Sequence, residues 1–255
     1  MDLQLRGKRV LVTGASRGIG RAIGDLLAQE GACISICARG QAGVDEALMA
    51  FRAQGATAYG EAIDVRDGSA FDGWLERSVG QLGGMDILIS NVSTRIEGSG
   101  ADWWRETFEA DLNQHVRAFQ LALPHLAQGR DAAVVFVSSI ASVLTQLPPY
   151  EVAYGAMKAA LTSFAGQMAV VHGPKGIRVN LVAPGPIFFE GGFWDNVKAR
   201  QPAMFDRAAS LPALGRMGKP EEVANAAVFL ASPAAGYITG ANLRIDGGLL
   251  RTANF

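Results

Sequence analysis

The sequence predicts a doubly wound α/β fold, in which helices cover both faces of a mostly parallel sheet of seven strands. Short apolar runs such as residues 10–12 lack the alternation of a half-exposed strand, as expected of strands buried on both faces. Segments with a helical apolar period separate these runs along most of the chain. Such alternation produces right-handed crossovers and a parallel sheet. Because no Pro- or Ser-rich linker interrupts it, we predict one domain over residues 1–255.

Each element is predicted from its local pattern. The predicted strands cover residues 10–12, 32–38, 56–63, 85–89, 132–137, 177–182 and 242–245. The predicted helices begin near residue 19 and continue with residues 45–54, 69–82, 102–126 and 153–171. The helix over 102–126 is the longest of them, and its apolar face includes Trp104, Phe108 and Phe119.

Composition places the chain among ordinary globular proteins. Apolar residues make up 49% and charged residues 18% of the chain, which provides ample material for a core. The net charge of −1 gives no electrostatic reason to expect nucleic acid or a membrane surface as a partner. Residues 1–6 lack the apolar region of a signal peptide, and Cys33 and Cys37 lie too far apart on one strand to form a disulfide. We therefore expect a cytoplasmic protein.

The turn after the first strand carries three glycines, Gly14, Gly18 and Gly20. A strand that passes through glycines into a helix directs free N–H groups and the positive end of the helix dipole at one point, which suits a phosphate. The spacing G-x-x-x-G-x-G differs from the commoner G-x-G-x-x-G fingerprint. The alternative is a tight turn that binds nothing, and residues downstream must decide between the two.

Polar residues and glycines follow most of the other predicted strands. In a parallel sheet the ligand lies outside the carboxyl ends of the strands, so residues at those ends are the candidates for binding. They are Arg39, Asp64, Asn91, Ser139 and the pair Pro184-Gly185. His115, His125 and His172 lack the spacing of metal ligands, so we expect no metal site.

Tyr154 and Lys158 lie four residues apart on one face of a predicted helix. An ammonium group close to a tyrosine favours the phenolate, so this pair could transfer a proton near neutral pH. Ser139 offers a hydroxyl that could orient a carbonyl oxygen. The spacing Tyr-x-x-x-Lys also arises by chance on helix surfaces, so the pair alone does not decide the function.

The order of these motifs resembles the short-chain dehydrogenase/reductase family over nearly the whole chain. The motifs are Thr13-Gly14-x-x-x-Gly18-Ile19-Gly20, Asp64-Val65, Asn113, Ser139, Tyr154-x-x-x-Lys158 and Pro184-Gly185. The tail, with residues 215–223, Tyr237-Ile238-Thr239-Gly240 and Asp246-Gly247-Gly248, looks like the branch of the 3-oxoacyl carrier-protein reductases.

The resemblance implies a role for each matched residue. Tyr154 exchanges a proton with the substrate oxygen, which Ser139 steadies, and Lys158 holds the nicotinamide ribose. Asn113 holds a water that links Lys158 to solvent, although a helical asparagine can also simply face bulk water. The implied cofactor contacts are Gly14, Ser16, Arg17, Gly18, Ile19, Gly20, Arg39, Asp64, Val65, Asn91, Tyr154, Lys158, Pro184, Gly185 and Ile187.

The chain departs from the family pattern at three places. Ser93 stands where the family usually has a glycine after the fourth strand. Phe189 stands where the family often has a threonine that meets the nicotinamide carboxamide. The interval from Ser139 to Tyr154 looks two residues longer than usual, so that Tyr150 could bulge into the pocket.

The end of the second strand favours NADP(H) over NAD(H). An NAD site has a carboxylate there, about 20 residues beyond the glycines, to bind the ribose hydroxyls. Here that end is Cys37-Ala38-Arg39, with no acid. Arg39 and Arg17 could instead bind the 2′-phosphate through charge-assisted hydrogen bonds.

Residues 186–214 match the segment that covers the substrate in this family, with Gly191-Gly192 as a candidate hinge. Phe189, Phe193 and Trp194 are tentative substrate contacts, although core packing is an equally good alternative. Basic residues are sparse in this segment, so we expect an apolar or aromatic ketone or its alcohol.

The leading interpretation is thus an NADP-dependent oxidoreductase acting on a carbonyl or secondary alcohol, in a homotetramer or homodimer. Small residues on the helix over 153–171, among them Gly155, Ala156 and Ala165, would allow a partner helix to approach. One alternative is a dinucleotide-binding sensor without catalysis, suggested by Ser93 and Phe189. Another is an epimerase or dehydratase that acts through a transient ketone.

Overall fold

A single parallel sheet forms the centre of the molecule. The computed structural model describes residues 1–94, 96 and 98–252, and within them seven strands lie in the order β3-β2-β1-β4-β5-β6-β7. The strands are β1 Arg9–Thr13, β2 Cys33–Ala38, β3 Ala58–Ala62, β4 Ile87–Ser90, β5 Ala133–Val137, β6 Arg178–Pro184 and β7 Asn242–Ile245. The predicted doubly wound α/β fold is confirmed.

Helices cover both faces of this sheet. They are α1 Gly18–Gln29, α2 Gln41–Ala53, α3 Gly68–Leu82, α4 Gly100–Phe108, α5 Gln114–Leu126, α6 Val152–His172, α7 Phe193–Arg200, α8 Pro202–Ser210 and α9 Pro220–Ala231. A π-helical turn, Glu109–Asn113, joins α4 to α5, and short 3₁₀ turns cover Ile140–Ser142, Pro149–Glu151, Gly173–Lys175 and Pro233–Ala235. None of the helices within the described residues is long and apolar enough to cross a membrane.

Two apolar layers explain why the central strands are apolar throughout. Val10 and Val12 pack into one layer, which includes residues of α1, α2 and α9. Leu11, between them, points to the opposite layer, which includes residues of α3, α5 and α6. Successive side chains of a strand point to opposite faces, so a strand covered on both faces needs apolar residues at every position. The sheet therefore leaves its ends, not its faces, for function.

Three stretches differ from the sequence prediction. The predicted helix over 102–126 begins at Gly100 and is interrupted by the π turn. The segment 186–214, which carried no predicted helix, contains α7 and α8. Helix α9 was also not predicted, because it is apolar on most of its circumference and shows little helical period. Pro220 begins α9, and the Glu222 carboxylate accepts a hydrogen bond from the Lys219 N–H.

Asp86 joins three strands, β1, β4 and β5, at their amino ends, opposite the carboxyl ends that carry the candidate site residues. Its carboxylate accepts hydrogen bonds from the backbone N–H, Nε and Nη2 of Arg9 at 2.7–2.9 Å. It also accepts the backbone N–H of Arg130, which precedes β5, at 2.8 Å. The Arg9 side chain and these hydrogen bonds hold the pKa of Asp86 at about 2, although burial alone would raise it.

Candidate active site

The glycine turn lies between β1 and α1 and is held from β4. Gly18 has a φ of +58°, and a Cβ on Gly20 would collide with the carbonyl oxygen of Gly14. Asn91, directly after β4, donates from Nδ2 to the carbonyl oxygens of Thr13 and Gly14 at 3.1 and 3.0 Å. Its backbone N–H donates to Thr13 Oγ1 at 2.9 Å. Asn91 therefore fixes the shape of the turn from the neighbouring strand.

This turn fits the diphosphate of a dinucleotide. Helix α1 begins directly in it, carries no acidic residue in its first turn, and has Arg17 at its N-cap. The first N–H groups of a helix and its positive dipole end bind anions, and the missing side chains of Gly18 and Gly20 allow a close approach. We find the predicted dinucleotide-binding residues Gly14 to Gly20 together at this one place.

Phe189 lies directly over the turn. A Cβ built on Gly18 would come within 2.6 Å of the Phe189 ring, and a Cβ on Gly192 within 2.9 Å. Arg17 Nη1 donates to the carbonyl oxygen of Gly191 at 2.9 Å. The segment predicted to cover the substrate thus contacts the glycine turn through both residues.

The ends of β2 and β3 form the second half of the cleft. Arg39 is exposed just after β2. Asp64, after β3, receives hydrogen bonds from Arg66 Nε and Nη2 at 3.1 and 2.6 Å. These hydrogen bonds, reinforced by the charge of Arg39, lower the pKa of Asp64. At the ends of β2 and β3 a ligand would therefore meet arginine side chains, since the Asp64 carboxylate is already paired with Arg66.

The elements that carry Ser139 and Tyr154 pack closely because a glycine lies between them. Ser139 follows β5, and its Oγ accepts a hydrogen bond from the Ala141 N–H at 3.1 Å, which caps the turn Ile140–Ser142. Gly155 directly follows Tyr154, and a Cβ there would lie 3.1 Å from the carbonyl oxygen of Ala141. The missing side chain lets α6 pack against the Ser139 turn. Tyr154 is only 8% exposed.

Lys158 lies one helical turn after Tyr154 and is completely buried. Its Nζ is 5.7 Å from the centroid of the Tyr154 ring. It donates to the carbonyl oxygen of Val137 at 3.4 Å and lies 3.5 Å from Asp111 Oδ1. The predicted pair is therefore brought together at the carboxyl end of β5, with an acidic partner that the sequence analysis did not identify.

Asp111, rather than Asn113, directs its side chain at Lys158. Asn113 is half-buried and donates from Nδ2 to Glu109 Oε2 at 2.7 Å, so the expected inward orientation of Asn113 is not what the structure shows. The π turn rotates Asp111 into the interior, where its side chain is 0% exposed. Ser93 Oγ donates a hydrogen bond to the same Asp111 Oδ1. A carboxylate between Ala110 and Leu112 on an apolar helix was the signal available in the sequence.

The imidazole of His115 is completely buried near Lys158 and is neutral. Burial, and secondarily the charge of Lys158, lower the pKa of His115 well below its ordinary value. Its Nδ1 shares a hydrogen bond with Ser90 Oγ at 2.7 Å. Across the described ranges 1–94, 96 and 98–252, the side chains of His, Cys, Asp and Glu form no cluster that could hold a metal ion.

Pro184, Gly185 and Ile187 close the cleft from β6. The Gly185 N–H donates to the carbonyl oxygen of Ile245 at 2.9 Å, and a Cβ on Gly185 would meet Asp246. Ile187 is buried and pairs with Gly218. These residues fix where the chain enters the covering segment.

The tentative substrate contacts are distributed over two elements. Tyr150 is 38% exposed in the turn Pro149–Glu151. Phe193 and Trp194 are half-buried at the start of α7, with their ring centroids 5.1 Å apart. Phe188 and Phe205 pack on each other and around Lys198. Some of the aromatic rings of residues 186–214 thus pack against other residues of the same segment.

The fold and the site together define a dinucleotide-binding oxidoreductase with a tyrosine–lysine pair. A family model described as enoyl-(acyl carrier protein) reductase matches residues 14–250. Isoepoxydon dehydrogenase of Aspergillus clavatus is 36% identical over 249 residues, covering 96% of this chain and 95% of its own. A 3-oxoacyl-(acyl-carrier-protein) reductase of Vibrio cholerae is 33% identical, covering 97% and 99%.

A solved structure gives the same answer. An NADPH-bound short-chain oxidoreductase of Pseudomonas aeruginosa PAO1, described as containing an atypical catalytic center, superposes with a TM-score of 0.88. It is 32% identical and covers 97% of this chain and 99% of its own. The chain belongs to the short-chain dehydrogenase/reductase family and is an oxidoreductase, and the resemblance stated from the sequence is confirmed.

Proposed function

We propose that this enzyme uses NADP(H) to interconvert a ketone and its secondary alcohol, with an apolar or aromatic substrate. The observation that supports this proposal best is the Tyr154–Lys158 pair at the carboxyl end of β5, with Ser139 on the adjoining turn. The glycine turn lies at the same end of the sheet, after β1. A sensor that only bound a dinucleotide would have no use for a buried lysine beneath a tyrosine.

The protein residues supply proton transfer and orientation. NADPH, when bound, supplies the hydride. Tyr154 donates a proton from Oη to the substrate oxygen in reduction and removes it in oxidation. The ammonium of Lys158, 5.7 Å from the ring centroid, stabilises negative charge on the phenol oxygen. Ser139 Oγ donates to the same substrate oxygen and holds it for the transfer.

Three observations support NADP(H) as the cofactor. Arg39 follows β2 and Arg17 lies at the N-cap of α1, so two guanidinium groups border the expected adenosine end. No carboxylate occupies the end of β2. The relative from Pseudomonas aeruginosa PAO1 was solved with NADPH bound. Arginine binds phosphate through two parallel hydrogen bonds, which a ribose hydroxyl cannot reproduce.

The substrate class is inferred from the segment 186–214. Phe189, Phe193 and Trp194 are half-buried on the side that covers the cleft, and Lys198 is engaged with two aromatic rings. A substrate with several charges would find few partners there, whereas an apolar ring would find aromatic surface. The Aspergillus clavatus relative is named a dehydrogenase, which supports an alcohol or carbonyl substrate.

The assembly and the compartment are further parts of this proposal. Helix α4 exposes Trp104 and Phe108, and α6 exposes Ala156 and Val170. This exposed apolar surface supports contact with a second copy in a homodimer or homotetramer. Gly155 and Ala165, expected on that surface, instead face the interior. The free thiols of Cys33 and Cys37 favour a reducing, cytoplasmic compartment.

Tyr154→Phe tests the proposed function. The variant keeps the ring and its packing but loses the transferable proton, so kcat with a cyclic or aromatic ketone should fall by roughly 10²–10⁴-fold. NADPH consumption followed by absorbance measures turnover, and fluorescence titration measures cofactor binding, which should persist. Near-wild-type kcat in this variant would show that Tyr154 is not the acid.

A further inference from the structure

One acidic side chain in the interior has no role in the mechanism as described. Asp111 is 0% exposed and belongs to the π turn Glu109–Asn113, the place where the long helix departs from regular geometry. Turns of this type inside helices are frequent at functional sites. Burying a carboxylate is costly unless a cation and hydrogen bonds compensate it. A specific contact must therefore keep Asp111 in this position.

That contact is with Lys158 and Ser93. Lys158 Nζ lies 3.5 Å from Asp111 Oδ1, and both side chains are completely buried. Ser93 Oγ donates to the same oxygen. Ser93 is also one of the positions at which this chain departs from the family pattern, where glycine is usual. A glycine could not supply this hydrogen bond, so the departure at residue 93 and the carboxylate at 111 belong together.

We propose that Asp111, oriented by Ser93, is a positioning residue that keeps the Lys158 ammonium charged and fixed beneath Tyr154. This inference rests on the proposed function, because it assigns Asp111 a part in the same proton transfer. It also transfers to Asp111 the place beside Lys158 that the resemblance suggests for Asn113.

The charges around Lys158 favour this role. Three elements packed against it carry titratable groups that face it, namely Tyr154 on α6, Asp111 in the π turn and His115 on α5. His115 is neutral because burial and the Lys158 charge lower its pKa. Asp111 is the anion within ion-pair distance of Lys158 Nζ among the described residues.

The first experiment uses the ligand-free enzyme and needs no substrate. Denaturant unfolding of wild type, Asp111→Asn and Glu109→Gln is followed between pH 7 and pH 10. Glu109→Gln is the matched control, since it removes a carboxylate from the same π turn. The Glu109 carboxylate accepts a hydrogen bond from Asn113.

The expected direction follows from proton linkage. In Asp111→Asn the folded protein gives up the Lys158 proton at a lower pH than the unfolded chain, which retains it to about pH 10.4. The unfolded state then binds more protons, so the variant gains stability as pH rises, relative to wild type. The factor by which Asp111→Asn raises the unfolding equilibrium constant above that of wild type should therefore shrink as pH rises. It should shrink by about tenfold for each pH unit over which Lys158 is neutral in the folded variant and charged in the unfolded chain. A factor that stays constant over this range, or an equal change in Glu109→Gln, would overturn the proposal.

The second experiment measures kcat against pH in the direction of alcohol oxidation. In Asp111→Asn the alkaline limb should move to lower pH by roughly 1 unit or more, the size of effect that an opposite charge produces at this range. Ser93→Ala keeps the carboxylate and should move the limb in the same direction by less. It also provides the test if Asp111→Asn does not fold. An unchanged limb in both variants would show that Asp111 has only a structural role.

The two experiments separate this inference from the proposed function. If the enzyme reduces no carbonyl compound, the proposed function fails, and the stability measurement still decides whether Asp111 keeps Lys158 charged. If the enzyme is active and the ratio of the two unfolding equilibrium constants does not change with pH, the inference alone fails.

Discussion

Ala38 and Arg39 occupy the end of β2, where we propose that the choice between NADP(H) and NAD(H) is made. Ala38 is half-buried and Arg39 is exposed, and the nearby carboxylate of Asp64 is occupied by Arg66. Among the described residues at this strand end, a ribose with free hydroxyls therefore finds the Asp64 carboxylate already paired, whereas a phosphate finds a guanidinium.

The double change Ala38→Asp with Arg39→Ala should reverse the cofactor preference. The new carboxylate repels a 2′-phosphate and accepts hydrogen bonds from ribose hydroxyls, and the lost guanidinium removes a charge-assisted hydrogen bond. Such a bond contributes about 1.5–3 kcal/mol, so kcat/KM for NADPH should fall by roughly 10–100-fold. The ratio of kcat/KM for NADPH and NADH, measured with one substrate, provides its own control. A wild-type ratio near one would contradict the assignment of Arg39.

Among single residues, the sequence predicts those whose positions depend only on local spacing along the chain. The glycine turn and the Tyr154–Lys158 pair each lie within one element, so their geometry follows from a strand–helix turn or a single helical turn. Asp111 could not be found in this way. Its burial depends on a π turn that advances the register of the helix, and regular helical period assigns the inward position elsewhere.

The covering segment is the element that could determine substrate choice. Its helices α7 and α8 meet at residues 200–202, and its aromatic residues divide into two groups. Phe188 and Phe205 pack on each other, whereas Phe193 and Trp194 form a separate half-buried pair. The first group holds the segment together, and the second lies at the start of α7, where we propose that it contacts the substrate.

Phe193→Ala should raise KM for a bulky apolar ketone by about tenfold and change KM for a small ketone little, because only the bulky substrate reaches this ring. Trp194→Ala should behave similarly. Phe205→Ala is the control, since it removes a ring from the self-packed group and should affect both substrates equally. Equal effects of Phe193→Ala on large and small ketones would assign Phe193 to packing.

Elements were predictable where their pattern was strong. The central strands and α6 have long apolar or periodic runs, and the structure places them within a few residues of the prediction. Helices α7 and α8 are short and mostly exposed, so no apolar stripe marked them. Gly192 and Pro202 start these helices, and Phe205 of α8 packs on Phe188, which precedes α7.

In the whole molecule, the candidate site and a stabilising cluster of charged residues lie at opposite ends of the strands. The site residues follow the carboxyl ends of the strands, whereas Asp86, Arg9 and Arg130 join β1, β4 and β5 at the opposite edge. Substitutions at this cluster should change stability and leave turnover unaffected.

Asp86→Asn should reduce the free energy of unfolding at pH 7 by about 2–3 kcal/mol, the linkage value of a carboxyl whose pKa falls from about 3.9 to about 2 on folding. A lowered pKa stabilises the folded state above the unfolded pKa. The difference from wild type should therefore be constant above pH 5 and disappear as pH falls toward 2. Urea unfolding at several pH values measures it. Asp102→Asn, which removes an ion pair with an 86% exposed carboxylate, is the control and should cost under about 0.5 kcal/mol. A difference that persists undiminished at pH 2 would contradict the role of Asp86.

The contact of Phe189 with Gly18, together with the hydrogen bond from Arg17 to Gly191, has a kinetic consequence. These two contacts join the turn that we propose to bind the dinucleotide to the segment that we propose to cover the substrate. We therefore expect a dinucleotide in the turn to move the Phe189 ring and, with it, this segment. We expect a compulsory sequence of events, in which the dinucleotide enters first and leaves last. Product-inhibition patterns would then be competitive only between the two forms of the dinucleotide.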